Sequence, residues 1–252
     1  MIDLHCHILP ALDDGAESQQ MTLEMLENAA ASGVKVVVAT SHYSHECEKN
    51  YDRVLAETSA LAAESGITLL GGMEYDYDRL TEVPAEKLRG IGGSDYILID
   101  MKQPFVPMGM EEVFFRLRLA GRRIVIAHPE RLWGMRYAEN LARLNADIIC
   151  QINSGSILGR YGRESRRAAF EILQKVPECC IGGDEHRPGR FRFNECRREL
   201  ERFFPQYAVE VWMDRNPARI VDGKPVVPVS VKMDFGRKLR WLAEHYIKGV
   251  KK

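Results

Sequence analysis

The chain has 252 residues, 45% of them hydrophobic and 28% charged, enough to bury one large core without a second domain. Its 35 Lys and Arg against 36 Asp and Glu leave a formal charge of −1, which removes the electrostatic reason to expect nucleic acid or an acidic membrane as the main partner. No apolar run reaches the roughly 18–20 residues that cross a bilayer, which excludes membrane insertion by a helix. No basic-then-apolar leader precedes His5, and the six cysteines lack framework spacing, so the expectation is a cytoplasmic protein with reduced thiols, mature from its first residues.

In chain order, the apolar run Met1–Leu4 leads into His5-Cys6-His7, and on an extended strand the two imidazoles share one side. Ser18–Ser32 sets Met21, Met25 and Ala29 on one helical face, with Ser18 as N-cap and Gly33 as stop. Val34–Ala39 reads as a strand buried on both sides, followed closely by His42. Helical spacing resumes over Asn50–Ser65 and stops at Gly66. The runs Thr68–Met73 and Tyr96–Ile99 then end on Glu74 and Asp100. A helix over Glu111–Ala120 closes at Gly121, and the strand Arg123–Ala127 precedes His128. Further strands are expected at Asp147–Ile152 and Cys179–Ile181, and further helices at Ala138–Leu144, Arg163–Lys175 and Asn194–Phe203. Asn216–Pro217 starts a short helix, and Lys248, Lys251 and Lys252 form a solvated basic tail.

Seven strands alternating with helices predict an α/β fold with a parallel barrel, residues 1–252 forming a single domain. Such a barrel gathers its strand ends at one face, so residues as distant as His5 and His186 can meet. A lone strand histidine is more often a hydrogen-bonded core or surface group than a ligand. Here five of the seven histidines, His5, His7, His42, His128 and His186, sit at strand carboxyl ends, and that recurrence predicts a metal site. Glu74, Asp100 and Asp184 each follow an apolar run, where an unpaired carboxylate is costly unless a cation or donor meets it. Asp14 joins them from the loop after His7, with Gly15 permitting a tight path; its neighbour Asp13 is the alternative, and either acid could instead cap the first helix. His45, in a polar loop, and His245, on a late helical segment, read as solvated.

Cys47 and Cys196 precede Arg53 and Arg202 with five residues between, a spacing that superficially suits a cysteine phosphatase. A phosphate loop must turn its N–H groups inward, whereas the intervening residues are charged, Gly-free and helical in pattern, so both matches are accidental. Tyr43, Phe105, Trp133 and Phe191 fall in loops after strands, where they line a groove for an aromatic ring or pack as core and lid.

Taken in order, DLHCHILPALDDGA, ATSHY, GGMEY, AHPER and GGDEHR resemble the polymerase-and-histidinol-phosphatase (PHP) superfamily, and within it the capsule-associated bacterial tyrosine phosphatases. The resemblance implies a distorted seven-stranded (β/α)7 TIM-like barrel and a trinuclear phosphatase centre. It assigns metal binding to His5, His7, Asp14, His42, Glu74, Asp100, His128, Asp184 and His186, and substrate phosphate to Arg131, with Arg190, or Arg187 in its place, as a second contact. The competing reading for each arginine is a surface salt bridge. Manganese is the family's usual ion, while mixed imidazole and carboxylate donors also suit iron or zinc. Three positions depart from the family pattern: Ser41 replaces a common Pro, Asp100 a common Glu, and the Asp184-Glu185 pair is more acidic. The implied substrate is a phosphotyrosyl protein, including a tyrosine kinase tail. In this reading divalent ions would neutralise the ester and activate a bound water for in-line attack, with His42 or another histidine of the ligand shell assisting proton transfer. The alternatives are a small-molecule phosphatase such as one for histidinol phosphate, a nucleic-acid phosphodiesterase, or a metal-binding module without turnover.

Overall fold

The computed structural model describes residues 1–102, 107–132 and 148–232, together with Gly236 and Trp241. Its strands are β1 (Ile2–Cys6), β2 (Val36–Ala39), β3 (Thr68–Gly71), β4 (Glu74–Asp76), β5 (Tyr96–Asp100), β6 (Arg123–Ala127), β7 (Ile148–Asn153) and β8 (Cys179–Gly182). They form two parallel sheets, β1-β2-β3 and β4-β5-β6-β7-β8. The fold is α/β, as expected, but the described ladders are two open sheets rather than one continuous seven-stranded ring. The additional strand follows the expected run Thr68–Met73, because the segment Thr68–Asp76 divides: β3 pairs with β2, and β4 pairs with β5. A Cβ on Gly72 would lie 2.9 Å from Val38 Cγ1 and 3.1 Å from Thr40 Cγ2. Glycine therefore lets the chain pass close to β2 as it moves from one sheet to the other. Two isolated parallel bridges, Cys6 with Glu185 and His42 with Glu74, connect the sheets.

The helices are α1 (Gln19–Ala31), α2 (His45–Glu64), α3 (Met110–Leu119), α4 (Ser154–Ile157), α5 (Gly162–Lys175), α6 (Phe193–Glu201), α7 (Gln206–Glu210) and α8 (Asn216–Val221), with a π-helical turn, Val211–Arg215, before α8. Ser18 caps α1 as expected, its hydroxyl accepting the Met21 N–H. Helix α2 begins five residues before the expected Asn50, because Ser44 Oγ accepts the Cys47 N–H at 3.0 Å and caps it there. His45 is therefore in the first helical turn rather than a loop, its Nδ1 3.1 Å from the Tyr43 hydroxyl. The expected helix Ala138–Leu144, His245 and the lysine tail lie outside the described residues.

Both faces of β1, β2 and β5–β8 are largely buried, which explains their unbroken apolar runs, whereas β3 is partly exposed. Leu4, Val38, Leu98, Val125, Ile149 and Cys180 pack as an inner group, while Val37, Ile97, Ile99, Ile124, Ile126 and Ile181 join the larger core with α1, α5 and α6. The register of β1 shifts between Asp3 and Cys6, a local irregularity that changes the phase of the pleat. Leu4 thus packs inward, yet His5 also reaches inward to Gln151.

Asn216 locks the C-terminal part in place. Its Nδ2 donates to the carbonyls of Cys179 at 2.9 Å and Val227 at 3.0 Å, and its Oδ1 accepts the Val227 N–H at 2.7 Å. Asn216→Ala leaves these buried groups unpaired and is expected to cost roughly 2–4 kcal/mol, read as a lower denaturation midpoint with the denaturant slope unchanged.

Candidate metal centre

The carboxyl ends of the strands deliver imidazoles and carboxylates to one place. His5 Nε2 and His7 Nε2 are 3.1 Å apart. Between them and the other rings stands Glu74, fully buried. Its Oε2 lies 3.3 Å from both His5 Nε2 and His7 Nε2 and 3.0 Å from His42 Nδ1, while its Oε1 lies 3.3 Å from His128 Nε2. Asp184 Oδ1 is 3.5 Å from His5 Nε2, 3.4 Å from His7 Nε2 and 3.5 Å from His186 Nδ1. Asp14 Oδ1 closes the outer side, 3.3 Å from His186 Nε2 and 3.6 Å from His42 Nε2. Four overlapping groups result: His7, Asp14, His42 and His186; His5, His128 and Asp184; His5, His7 and Glu74; and Glu74, Asp100 and His128. Within each, one donor atom per residue lies within 4.8 Å of the others.

The donor set fits divalent cations. Both oxygens of Glu74 are buried without a hydrogen-bond partner, as are Nδ1 of His42 and Nδ1 of His128. Their neighbours stand at ion-pair range without hydrogen-bond alignment, and a buried carboxylate left so is costly unless a cation meets it. Charge coupling is strong: burial opposes charging of His5, but Glu74 and Asp184 outweigh it and hold its pKa up at about 9. Burial likewise opposes ionisation of Glu74, yet His5 and His128 hold it well below the usual carboxylate range.

The two adjacent acids of the β1 loop divide their tasks. Asp13 Oδ2 accepts from His7 Nδ1 at 2.7 Å and from the His42 N–H at 2.9 Å, while Oδ1 accepts the Gly15 N–H at 2.9 Å. Burial disfavours its charge, but the His7 contact wins and draws its pKa down to about 2. Asp13 therefore fixes the His7 ring, and Asp14 is the acid that faces the group. Gly15 lies directly against the His7 carbonyl, where any Cβ would overlap it. Arg187 binds the Gly15 carbonyl and, at 2.9 Å, Glu17 Oε1, so it ties the Asp184 loop to the loop after β1.

Three supporting residues escaped the sequence reading. Gln151 Oε1 meets His5 Nδ1 at 2.9 Å, Asn153 Nδ2 donates to Asp184 Oδ2 at 3.2 Å, and Asp3 Oδ1 accepts the N–H groups of His5 and Gly183 at 3.1 and 2.8 Å. Their available signal was a polar side chain inside an apolar run, as in Ile148–Asn153. Among the described residues the non-glycine positions with positive φ are Ala11, Lys102, His128 and Asp184, at 56°, 46°, 34° and 54°. Lys102, His128 and Asp184 stand within two residues of a strand end, while Ala11 lies in the loop after β1, and such strained backbone persists where surrounding structure over-determines it.

Arg131 pairs with Asp184 Oδ2 and so stands at the group's edge. Arg190 is exposed, and its main-chain carbonyl accepts from Arg160 Nη2 at 2.7 Å. Tyr43 and Phe191 are buried in the main core, so of the two readings packing holds for them; Phe105 and Trp133 lie outside the described residues. All six cysteines are free and buried, and burial pushes Cys47 up to about 12 and raises Cys196, the opposite of an activated thiolate. A cleft of about 500 Å³ lined by Tyr96, Arg122, Arg123 and Glu178 lies at the strands' amino ends, away from this chemistry.

A family profile for capsular polysaccharide synthesis, CpsB/CapC, matches residues 1–222. The chain belongs to that family. Tyrosine-protein phosphatase YwqE of Bacillus subtilis is 30% identical over 81% of this chain and 85% of its own length. CapC of Staphylococcus aureus is 30% identical over 74% of this chain and 77% of its own. In structure, the chain matches one from the work on YwqE of B. subtilis and CpsB of Streptococcus pneumoniae, metal-dependent tyrosine phosphatases. The TM-score is 0.79 at 27% identity, covering 92% of this chain and 99% of that one.

Two measurements follow. Because a cation must displace the proton that His5 holds below about pH 9, Mn²⁺ affinity should fall as pH is lowered from 9 to 6, with proton release visible by calorimetry in buffers of different ionisation enthalpy. Asp13→Ala frees the His7 ring and should weaken Mn²⁺ binding roughly 10- to 100-fold while sparing the fold.

Proposed function

We propose that the protein is a metal-dependent protein-tyrosine phosphatase, a phosphoric monoester hydrolase whose nine clustered side chains hold three divalent ions, manganese foremost. The observation that carries this reading is the convergence of His5, His7, Asp14, His42, Glu74, Asp100, His128, Asp184 and His186 around the partnerless oxygens of Glu74. Kinship with tyrosine-protein phosphatases over most of the chain supports the same substrate class, phosphotyrosyl proteins such as a kinase tail. When bound, divalent ions neutralise a phosphate ester and activate water beside it.

The residues then divide the work. Glu74 presents one oxygen to His128 and the other to His5, His7 and His42 and belongs to two donor groups, so it would be shared between the ions they hold. Asp100 belongs to one group only and its Oδ1 also accepts the Lys102 N–H at 3.0 Å, so it would contribute to one ion rather than two. Arg131, about one-third exposed, offers paired N–H donors to the phosphoryl oxygens, and Arg190 on the loop after Asp184 is the second contact. His42, a quarter exposed at the rim, would move a proton between the site and solvent. The finer architecture in this reading is a distorted seven-stranded PHP-type barrel in one domain, with β3 and β4 as one strand broken at Gly72 and the two isolated bridges closing the ring. A cytoplasmic setting belongs to the same reading. Among the described residues no helix is long and apolar enough to cross a membrane.

The test compares phosphotyrosyl peptide, histidinol phosphate and single-stranded DNA as substrates. Peptide hydrolysis should dominate, vanish with chelator and return with Mn²⁺; Glu74→Gln should lower kcat at least ~100-fold, whereas Cys47→Ala should stay within about twofold of the parent. Activity that survives chelation but not Cys47→Ala overturns the proposal.

A further inference from the structure

We propose that Tyr161 is a positioning residue for Arg131, holding its guanidinium flat so that its donor edge faces the substrate phosphate; this rests on the role given to Arg131 above. Tyr161 stands between α4 and α5, on a turn flanked by Gly159 and Gly162, whose φ values of 81° and 87° suit glycine. The Arg131 Cζ lies 4.4 Å from the centre of the Tyr161 ring. On its edge, Arg131 Nη1 pairs with Asp184 Oδ2, the oxygen that also receives Asn153 Nδ2 at 3.2 Å. The guanidinium is thus fixed by a ring on its face and a carboxylate on one edge.

The chemistry of this arrangement is specific to an aromatic ring. A guanidinium carries its five N–H donors in its own plane, and stacking uses only the face, so none is consumed. A second carboxylate in place of the ring would hold the arginine equally well but would occupy donors and repel a phosphate. An aliphatic side chain would fill the space without the electrostatic attraction of the π face. The ring is itself seated: a Cβ on Gly155 would lie 3.0 Å from Tyr161 Cε2, so the edge of Tyr161 rests on backbone at the start of α4. The preceding residue fixes the neighbouring loop, since Arg160 Nη1 meets Glu185 Oε2 at 3.1 Å and Nη2 donates to the Arg190 carbonyl at 2.7 Å. One turn therefore registers Arg131 and the Asp184–Arg190 loop against each other.

The experiment uses Mn²⁺-loaded protein and two readouts: calorimetric binding of inorganic phosphate, and KM and kcat on an aryl phosphate. Tyr161→Leu should weaken phosphate binding and raise KM by roughly 3- to 10-fold, with kcat within about twofold and manganese content unchanged. Tyr161→Phe, which keeps the ring, should match the parent. In the Arg131→Ala background, Tyr161→Leu should add nothing further, because the ring acts through the arginine. Unchanged phosphate binding and KM in Tyr161→Leu, or equal loss in Tyr161→Phe, overturns the proposal while leaving Arg131 as the phosphate contact. Undiminished phosphate binding in Arg131→Ala removes the role of Arg131 and this proposal with it.

Discussion

Glu74 and the imidazoles around it set the terms for the rest of the structure. A fully buried carboxylate with both oxygens free of hydrogen bonds is tolerable only where positive charge is gathered close by, and His5, His7, His42 and His128 all approach it within 3.3 Å. Those rings crowd one another as well, with His7 and His186 stacked 3.9 Å apart. Unpaired imidazolium rings at that spacing would repel, whereas neutral rings sharing cations with carboxylates satisfy every donor. The electrostatics of the chain and its proposed chemistry thus impose the same requirement.

Meeting that requirement takes a rigid frame. Parallel strands bring their carboxyl ends together, and the polar residues on those strands, Asp3, Gln151 and Asn153, hydrogen-bond the segments that carry His5 and Asp184 instead of filling the core. Asp13 orients His7 from the loop side. The positive φ of His128 and Asp184 aims two of the nine side chains in directions that relaxed strand geometry does not reach.

Much of this frame was legible in the residues. Apolar runs marked β1, β2, β5, β6, β7 and β8, since a strand buried on both faces has no polar alternation to hide it, and the caps at Ser18 and Gly33 bounded α1. The division of Thr68–Asp76 into two strands was not legible: nothing local distinguishes a run that pairs with one neighbour from a run that changes sheets, and the close approach of Gly72 to Val38 is a tertiary fact. The start of α2 was missed because His45 and Glu46 read as polar loop, while the Ser44 cap decides it.

Taken alone, the sequence determined the α/β alternation and the kind of chemistry, because residue type and its position after an apolar run are properties of the chain. Only the tertiary structure decided which acid faces the histidine cluster, that Glu74 addresses histidines on both sides, and that Arg131 rests on Tyr161. These are relations between side chains on different strands and loops. Their distances depend on how the strands lie side by side, which no local pattern encodes.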